Sequence, residues 1–167
     1  MSGVDAARAS GREVTFSRYI AAPVALVWEL WSDARHLNEW FGPTGYTLTT
    51  HEFSFTPGGV WRLVMHAPDG SMNVPTRIVF TSIEPMSRIT YTNDWGLDDA
   101  PLAFDVAVTF EPERTGTRLA FCMTFANEEA VRVAVERYGV LKGADETLQR
   151  VVDYLGRQGV NPPPISA

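Results

Sequence analysis

Val14, Phe16, Arg18 and Ile20 alternate with Thr15, Ser17 and Tyr19, the period-two pattern of a strand with one mostly apolar face. The pattern stops at Ala22-Pro23. Beyond it Val24, Val27, Trp28 and Trp31 recur at helical spacing, and proline suits the first turn of a helix, so a short amphipathic helix is expected. Ser32 or Asp33 is placed to cap a second helix, which carries Leu37, Trp40 and Phe41 inward until Gly42-Pro43 stops it. Together the two helices make an aromatic elbow.

From residue 46 to residue 125 the period returns to two, interrupted by Pro57-Gly58-Gly59, Pro68-Asp69-Gly70, Glu84-Pro85 and Arg114-Thr115-Gly116, all of them turn chemistries. An antiparallel meander follows. Trp61, Leu63 and Met65 alternate with Arg62, Val64 and His66, and the same scheme holds for Phe104, Val106, Val108 and Phe110 and for Leu119, Phe121, Met123 and Phe125. One sheet face is therefore large and apolar, the other small or polar. Asn127 is placed to cap a last helical region whose first stripe is Val131, Val135 and Tyr138, and a break is expected between Gly139 and Gly143. After it, Leu148, Val151, Val152 and Leu155 are expected to face the sheet, with Asp145, Glu146, Gln149, Arg150 and Asp153 toward water. The fold class is α+β. A curved sheet needs a cover, only the C-terminal helix is long enough to supply it, and space left between the two is the natural ligand site.

Composition narrows this picture. A chain of 167 residues, 45% hydrophobic and 20% charged, suits a single domain, expected over residues 13–158, with disordered tails at 1–12 and at 159–167, where Pro162-Pro163-Pro164 lies. A net charge of -6 with 14 scattered basic residues disfavours a nucleic-acid partner. No apolar run reaches the roughly 18 residues of a membrane span and the N-terminus lacks the apolar centre of a signal peptide, so membrane insertion is disfavoured and a cytoplasmic location is expected. Cys122 is the single cysteine and forms no internal disulfide. No phosphate loop, dinucleotide fingerprint, nucleophile elbow or zinc-protease motif is present, and no cofactor is expected.

Arg18, Ala22-Pro23, Val27-Trp28, Trp31, His36-Leu37, Trp40-Phe41-Gly42-Pro43, Glu52, Pro57-Gly58-Gly59 with Trp61-Arg62, Pro68-Asp69-Gly70, Thr117-Arg118-Leu119, Gly143, Thr147-Leu148 and Tyr154-Leu155 together carry a family resemblance. In order and spacing the chain resembles the Hsp90-ATPase-activator homologue family of the START-like (Bet v 1-like) superfamily. The resemblance implies a helix-grip fold: a seven-stranded curved antiparallel sheet, two short helices after strand 1, and a long C-terminal helix packed over a cavity. It also implies a range of activities, since members bind lipids, sterols or polyketides, a few are cyclases or hydrolases, and the eukaryotic namesake is a co-chaperone. Two positions depart from the pattern. Trp40-Phe41 replaces a double tryptophan, and Ala144 stands where relatives often carry tryptophan, a loss of bulk on the gripping helix, so that either the pocket is larger or Trp95 fills it.

The residues expected around the cavity are Trp61, Met65, Tyr91, Phe104, Phe121 and Met123, with Tyr138, Leu141 and Ala144 from the helix. Plain core packing is the alternative for each. Trp95, flanked by Asp94, Asp98 and Asp99, is either a lid or part of a solvated connection. Arg18 is expected to pair with Glu52 or a neighbouring carboxylate, or else to orient a ligand carboxylate, and Arg62 to lie on the outer face. His36, His51 and His66 match no metal-ligand spacing, and Cys122 reads as an inert packing residue. The expected function is to hold a small apolar or amphipathic molecule. The alternatives are a cofactor-independent polyketide cyclase or hydrolase, and an Hsp90-type chaperone-interaction or stress-response module, with homodimer formation left open.

Overall fold

A hairpin begins the fold: β1 (Val4–Ser10) turns through Gly11-Arg12 into β2 (Glu13–Ile20), with Ser10 opposite Glu13. Gly11 supplies the positive φ that so tight a turn requires. The structure, a computed structural model, describes residues 4–94 and 103–157, with side chains from residue 7. After β2 come α1 (Val24–Ser32) and α2 (Ala34–Trp40), the meander β3 (Thr47–Phe53), β4 (Val60–His66), β5 (Asn73–Glu84), β6 (Arg88–Asp94), β7 (Phe104–Glu113) and β8 (Gly116–Phe125), then α3 (Glu128–Glu136) and α4 (Val140–Arg157). The strands form one open antiparallel sheet in the order β1-β2-β8-β7-β6-β5-β4-β3. This is the expected helix-grip arrangement with eight strands instead of seven. The additional strand is β1, whose short side chains carry little period-two signal; main-chain pairing with β2 holds it, across a bulge between Asp5 and Arg8.

Register explains the two-faced sheet. Val14, Met123 and Val106 lie opposite one another on β2, β8 and β7, as do Phe16, Phe121 and Val108, and all of these are buried on the side facing the helices. Phe16 and Phe121 stack with ring centroids 4.7 Å apart. The next residues in each strand, Thr15, Cys122 and Ala107, share the outer face.

The elbow is a packed aromatic cluster. Trp31 is fully buried against Trp40, Phe41, Tyr91 and Phe121, and the Trp40 indole N–H donates to the Leu30 carbonyl at 3.1 Å. Asp33 caps α2 by accepting from the Arg35 N–H at 2.8 Å. Asn127 caps α3 through the Ala130 N–H at 2.8 Å.

The break between the last two helices falls at 137–139, just before the expected interval, with Gly139 at a φ of +63° and Gly143 inside α4. Ala144, Leu148 and Val151 face the sheet as a continuous stripe. Val152, expected among them, turns outward because it sits about 100° around the helix from Val151, and Tyr154 is buried instead.

Candidate functional site

Between the inner sheet face and the corner of α3 and α4 lies a partly open cavity of about 270 Å³. It exists because the stripe of α4 nearest the sheet's middle is made of Gly143, Ala144 and Thr147, too short to reach the strands opposite. Met65, Tyr91, Phe104, Phe121, Met123, Tyr138 and Ala144 line it. The structure places Trp61 elsewhere, in the elbow, where it is fully buried 4.9 Å from Phe41 and donates its indole N–H to Thr50 Oγ1 at 3.0 Å. Leu141 packs half-buried against the core. Trp95, Asp98 and Asp99 lie outside the described residues, whereas Asp94 ends β6 in a paired contact with Arg77, Nε and Nη2 each 3.0 Å from a carboxylate oxygen.

Several lining residues carry no signal at the level of sequence pattern. Phe41, Gly42 and Pro43 form one wall, and Thr76 and Asn93 join Tyr91 on the strand side. Gly42 has a φ of +103°, a conformation that favours glycine, and a Cβ there would stand 2.8 Å from Met65 Cε, the flexible end of a lining side chain. Asn93 follows Tyr91 by two residues and so shares its face. Its Oδ1 is buried without a hydrogen-bond partner.

No charged side chain is found among the described lining residues. Tyr91 is their one acidic phenol in the buried floor, and burial pushes it well above its usual value, so it stays neutral. Thr147 Oγ1 donates back to the Gly143 carbonyl at 2.8 Å.

Arg150 corrects the expectation that it faces water. It reaches from α4 to the elbow loop, where Nη1 donates to the carbonyls of Gly42 at 3.2 Å and Pro43 at 2.9 Å and Nη2 to that of Glu39 at 3.1 Å. Glu39 belongs to the last turn of α2, whose carbonyls lack helical donors, and Gly42 and Pro43 follow it in the exit loop, where the Pro43 carbonyl also accepts the Tyr46 N–H at 3.1 Å. Glu146, one turn earlier, accepts the Thr44 N–H at 3.2 Å. Two side chains of α4 thus fix the cavity wall.

Arg18 and Glu52 do not meet: β2 and β3 stand near opposite ends of the sheet order. Arg18 instead donates to Gln149 Oε1 at 2.6 Å, and Glu52 lies 3.5 Å from Arg62 on the outer face.

His36 Nδ1 lies 2.6 Å from the Tyr154 hydroxyl, while Nε2 is buried without a partner. Burial lowers its pKa from the ordinary 6.5; Asp33, Glu29 and Glu39 oppose the shift and Arg35 reinforces it. The unfolded chain therefore takes up the proton first as pH falls. The stability contributed by neutral His36 is present above about pH 6.5 and is lost as pH falls through the lower folded value. Urea titrations should show a larger drop in midpoint between neutral and mildly acidic pH for the native chain than for His36→Gln. Equal drops would remove His36 from the account.

His66 bonds Thr49 and Asn73 across the strands, and His51 is exposed. Among the described residues no group of His, Cys, Asp and Glu is arranged to hold a metal, and no helix is long and apolar enough to cross a membrane. Burial, then Glu13, pushes the Cys122 thiol above its ordinary value, which disfavours the reactive thiolate. A second hollow, of about 350 Å³, lies on the outer face between Arg8 and Arg88. Its floor of Thr15, Ser17, Ala107 and Thr109 gives an apolar ligand little surface to bury against.

Comparison with known proteins supplies the remaining context. The family described as "Activator of Hsp90 ATPase homolog 1-like protein" matches residues 21–156. No curated protein matches the chain. Among solved structures, protein Ms6760 from Mycobacterium smegmatis is 23% identical with a TM-score of 0.82, covering 93% of this chain and 99% of its own. A protein from Arthrobacter aurescens solved by NMR is 24% identical with a TM-score of 0.83, covering 92% of each chain. DynU16, a protein in the dynemicin biosynthetic locus, is 22% identical with a TM-score of 0.63, covering 90% of this chain and 49% of its own. At these identities the structural likeness carries the fold.

Proposed function

The chain belongs to the Activator of Hsp90 ATPase homolog 1-like family, and on that premise we propose that it is a binding module which holds a small apolar molecule between its sheet and the α3–α4 corner. The observation that carries this reading is the cavity itself, walled by aromatic and aliphatic side chains with a few polar groups. A concave, mostly apolar hollow of about 270 Å³ is close to the size at which small-molecule sites begin, roughly 300 Å³. Binding is favoured over catalysis because the described lining carries no carboxylate, histidine, cysteine or lysine to serve as an acid or base, and burial keeps Tyr91 protonated.

Ala144 is the point at which to test it. The residue is 6% exposed and its methyl faces the cavity, so Ala144→Trp places an indole in the open space. We expect affinity for a neutral solvatochromic naphthalene dye to fall by at least about ten-fold, with overpacking costing no more than about 1–3 kcal/mol of stability. A folded A144W protein that binds the dye as the native chain does would sink the reading.

A further inference from the structure

Resting on that binding reading, we infer that the natural occupant is an uncharged ring compound of about two fused rings bearing a hydroxyl, and that the Asn93 amide recognises the hydroxyl. Size is the first constraint. An apolar cavity of ~150 Å³ is enough to bind benzene. The cavity here, at about 270 Å³, is nearly twice as large, and its walls include the rings of Phe104, Phe121 and Phe125, suited to flat, apolar faces.

Charge is the second constraint. A carboxylate or ammonium carried into this space would meet no described partner of opposite sign, and burying an unpaired charge is far costlier than burying a hydroxyl. Arg18, the cation once matched to a ligand carboxylate, is engaged with Gln149 and does not line the cavity. Arg150 is committed to the loop carbonyls.

The third constraint is the orphaned atom. Asn93 Oδ1 is buried beside the cavity with nothing donating to it, and native structures rarely leave such an acceptor unmade. A half-turn of the amide exchanges its oxygen and nitrogen, so the group offers an acceptor or a donor. A hydroxyl, which both donates and accepts, satisfies either arrangement. The apolar body and the single polar contact then divide the work: rings bury surface, and the amide sets orientation.

The test uses the full chain and three bicyclic probes of matched shape at neutral pH, titrated by calorimetry: naphthalene, 2-naphthol and 2-naphthoate. We expect 2-naphthol to bind roughly ten-fold tighter than naphthalene, the worth of one buried hydrogen bond, and 2-naphthoate to bind weakest. In Asn93→Leu the advantage of 2-naphthol should vanish while naphthalene still binds. Equal affinities for naphthalene and 2-naphthol in the native chain, as when a water already serves Asn93, overturn the inference and leave the cavity reading standing. So does a naphthol advantage that survives in N93L, or tightest binding of 2-naphthoate. If none of the three binds, the binding reading falls as well.

Discussion

Gly59→Ala should unfold most of the protein at room temperature in mild urea. A Cβ on Gly59 would lie 2.1 Å from the Ser54 carbonyl oxygen and 2.9 Å from that of Thr56, both main-chain atoms that no rotamer change can move. The same turn is latched on both sides. Gly59 N–H donates to the Thr56 carbonyl at 2.7 Å, Gly58 N–H to Phe80 at 2.7 Å, and Phe80 N–H to Gly59 at 2.9 Å, so shifting the turn also loosens β4 from β5. Backbone conflicts of this kind belong to the severe class, about 3–5 kcal/mol, against a total stability of about 5–15 kcal/mol for a domain. Gly58 supplies the control. Its φ of +83° strains any L side chain, yet no atom lies within 4 Å of its would-be Cβ, so Gly58→Ala should cost only about 1–2 kcal/mol. Circular dichroism against urea separates the two, and equal midpoints for G58A and G59A would show that the clash is relieved at no cost.

Arg150→Met is the second large effect, and it reaches function as well as stability. Methionine keeps much of the apolar stem but removes every donor, leaving the carbonyls of Glu39, Gly42 and Pro43 without their cation. Hydrogen bonds from a charged group contribute about 1.5–3 kcal/mol, and the partly exposed guanidinium places the expected loss near the lower end, about 2 kcal/mol. The larger consequence is local. Phe41, Gly42 and Pro43 form a cavity wall, so freeing the loop should accelerate amide hydrogen exchange there and weaken binding of a neutral apolar dye by about ten-fold. Arg150→Lys keeps the charge without the planar fork and should recover little. Unchanged exchange in the loop of R150M would mean that packing alone holds the wall.

Much of this architecture is legible in the chain because its signals are local. Alternation marks the inner faces of β2, β4, β7 and β8, proline and glycine mark the turns, Asn127 is a helix cap by residue type and position, and of the two candidates Ser32 and Asp33 it is Asp33 that caps α2. Ala144 stands out through the family resemblance, which often places a tryptophan at that position. What is not legible depends on tertiary neighbours. Trp61 and Met65 share a strand face, yet the strand runs from elbow to cavity, so the same alternation puts one in each. Asn93 looks like an ordinary strand end until burial shows that nothing donates to it.

Arg150 illustrates the deeper difficulty. Charged helical residues off the apolar stripe are assigned to water by default, but Gly143, Thr147, Arg150 and Tyr154 recur at i, i+4, i+7 and i+11 and form a stripe of their own. Each one meets the elbow side or the cavity: Gly143 lies against Pro43, Thr147 lines the cavity, Arg150 holds the loop and Tyr154 meets His36. α4 therefore has two working faces, one apolar and one largely polar.

The open sheet gives that polar face a mechanical meaning. At one rim of the trough α4 lies along β1 and β2, at the other α2 lies along β3, and no strand pair joins β1 to β3. Among the described residues, one place where the two rims are bridged is where α2 and its exit loop meet α4, through Arg150, Glu146 and the contact of His36 with Tyr154. It is a clasp made of side chains. A closed barrel fixes its girth by strand number and shear, whereas here the polar bridge between α2 and α4 adds to the shared apolar core in setting the width, so substitutions in that bridge can resize the interior while every rung of the strand ladder stays in place.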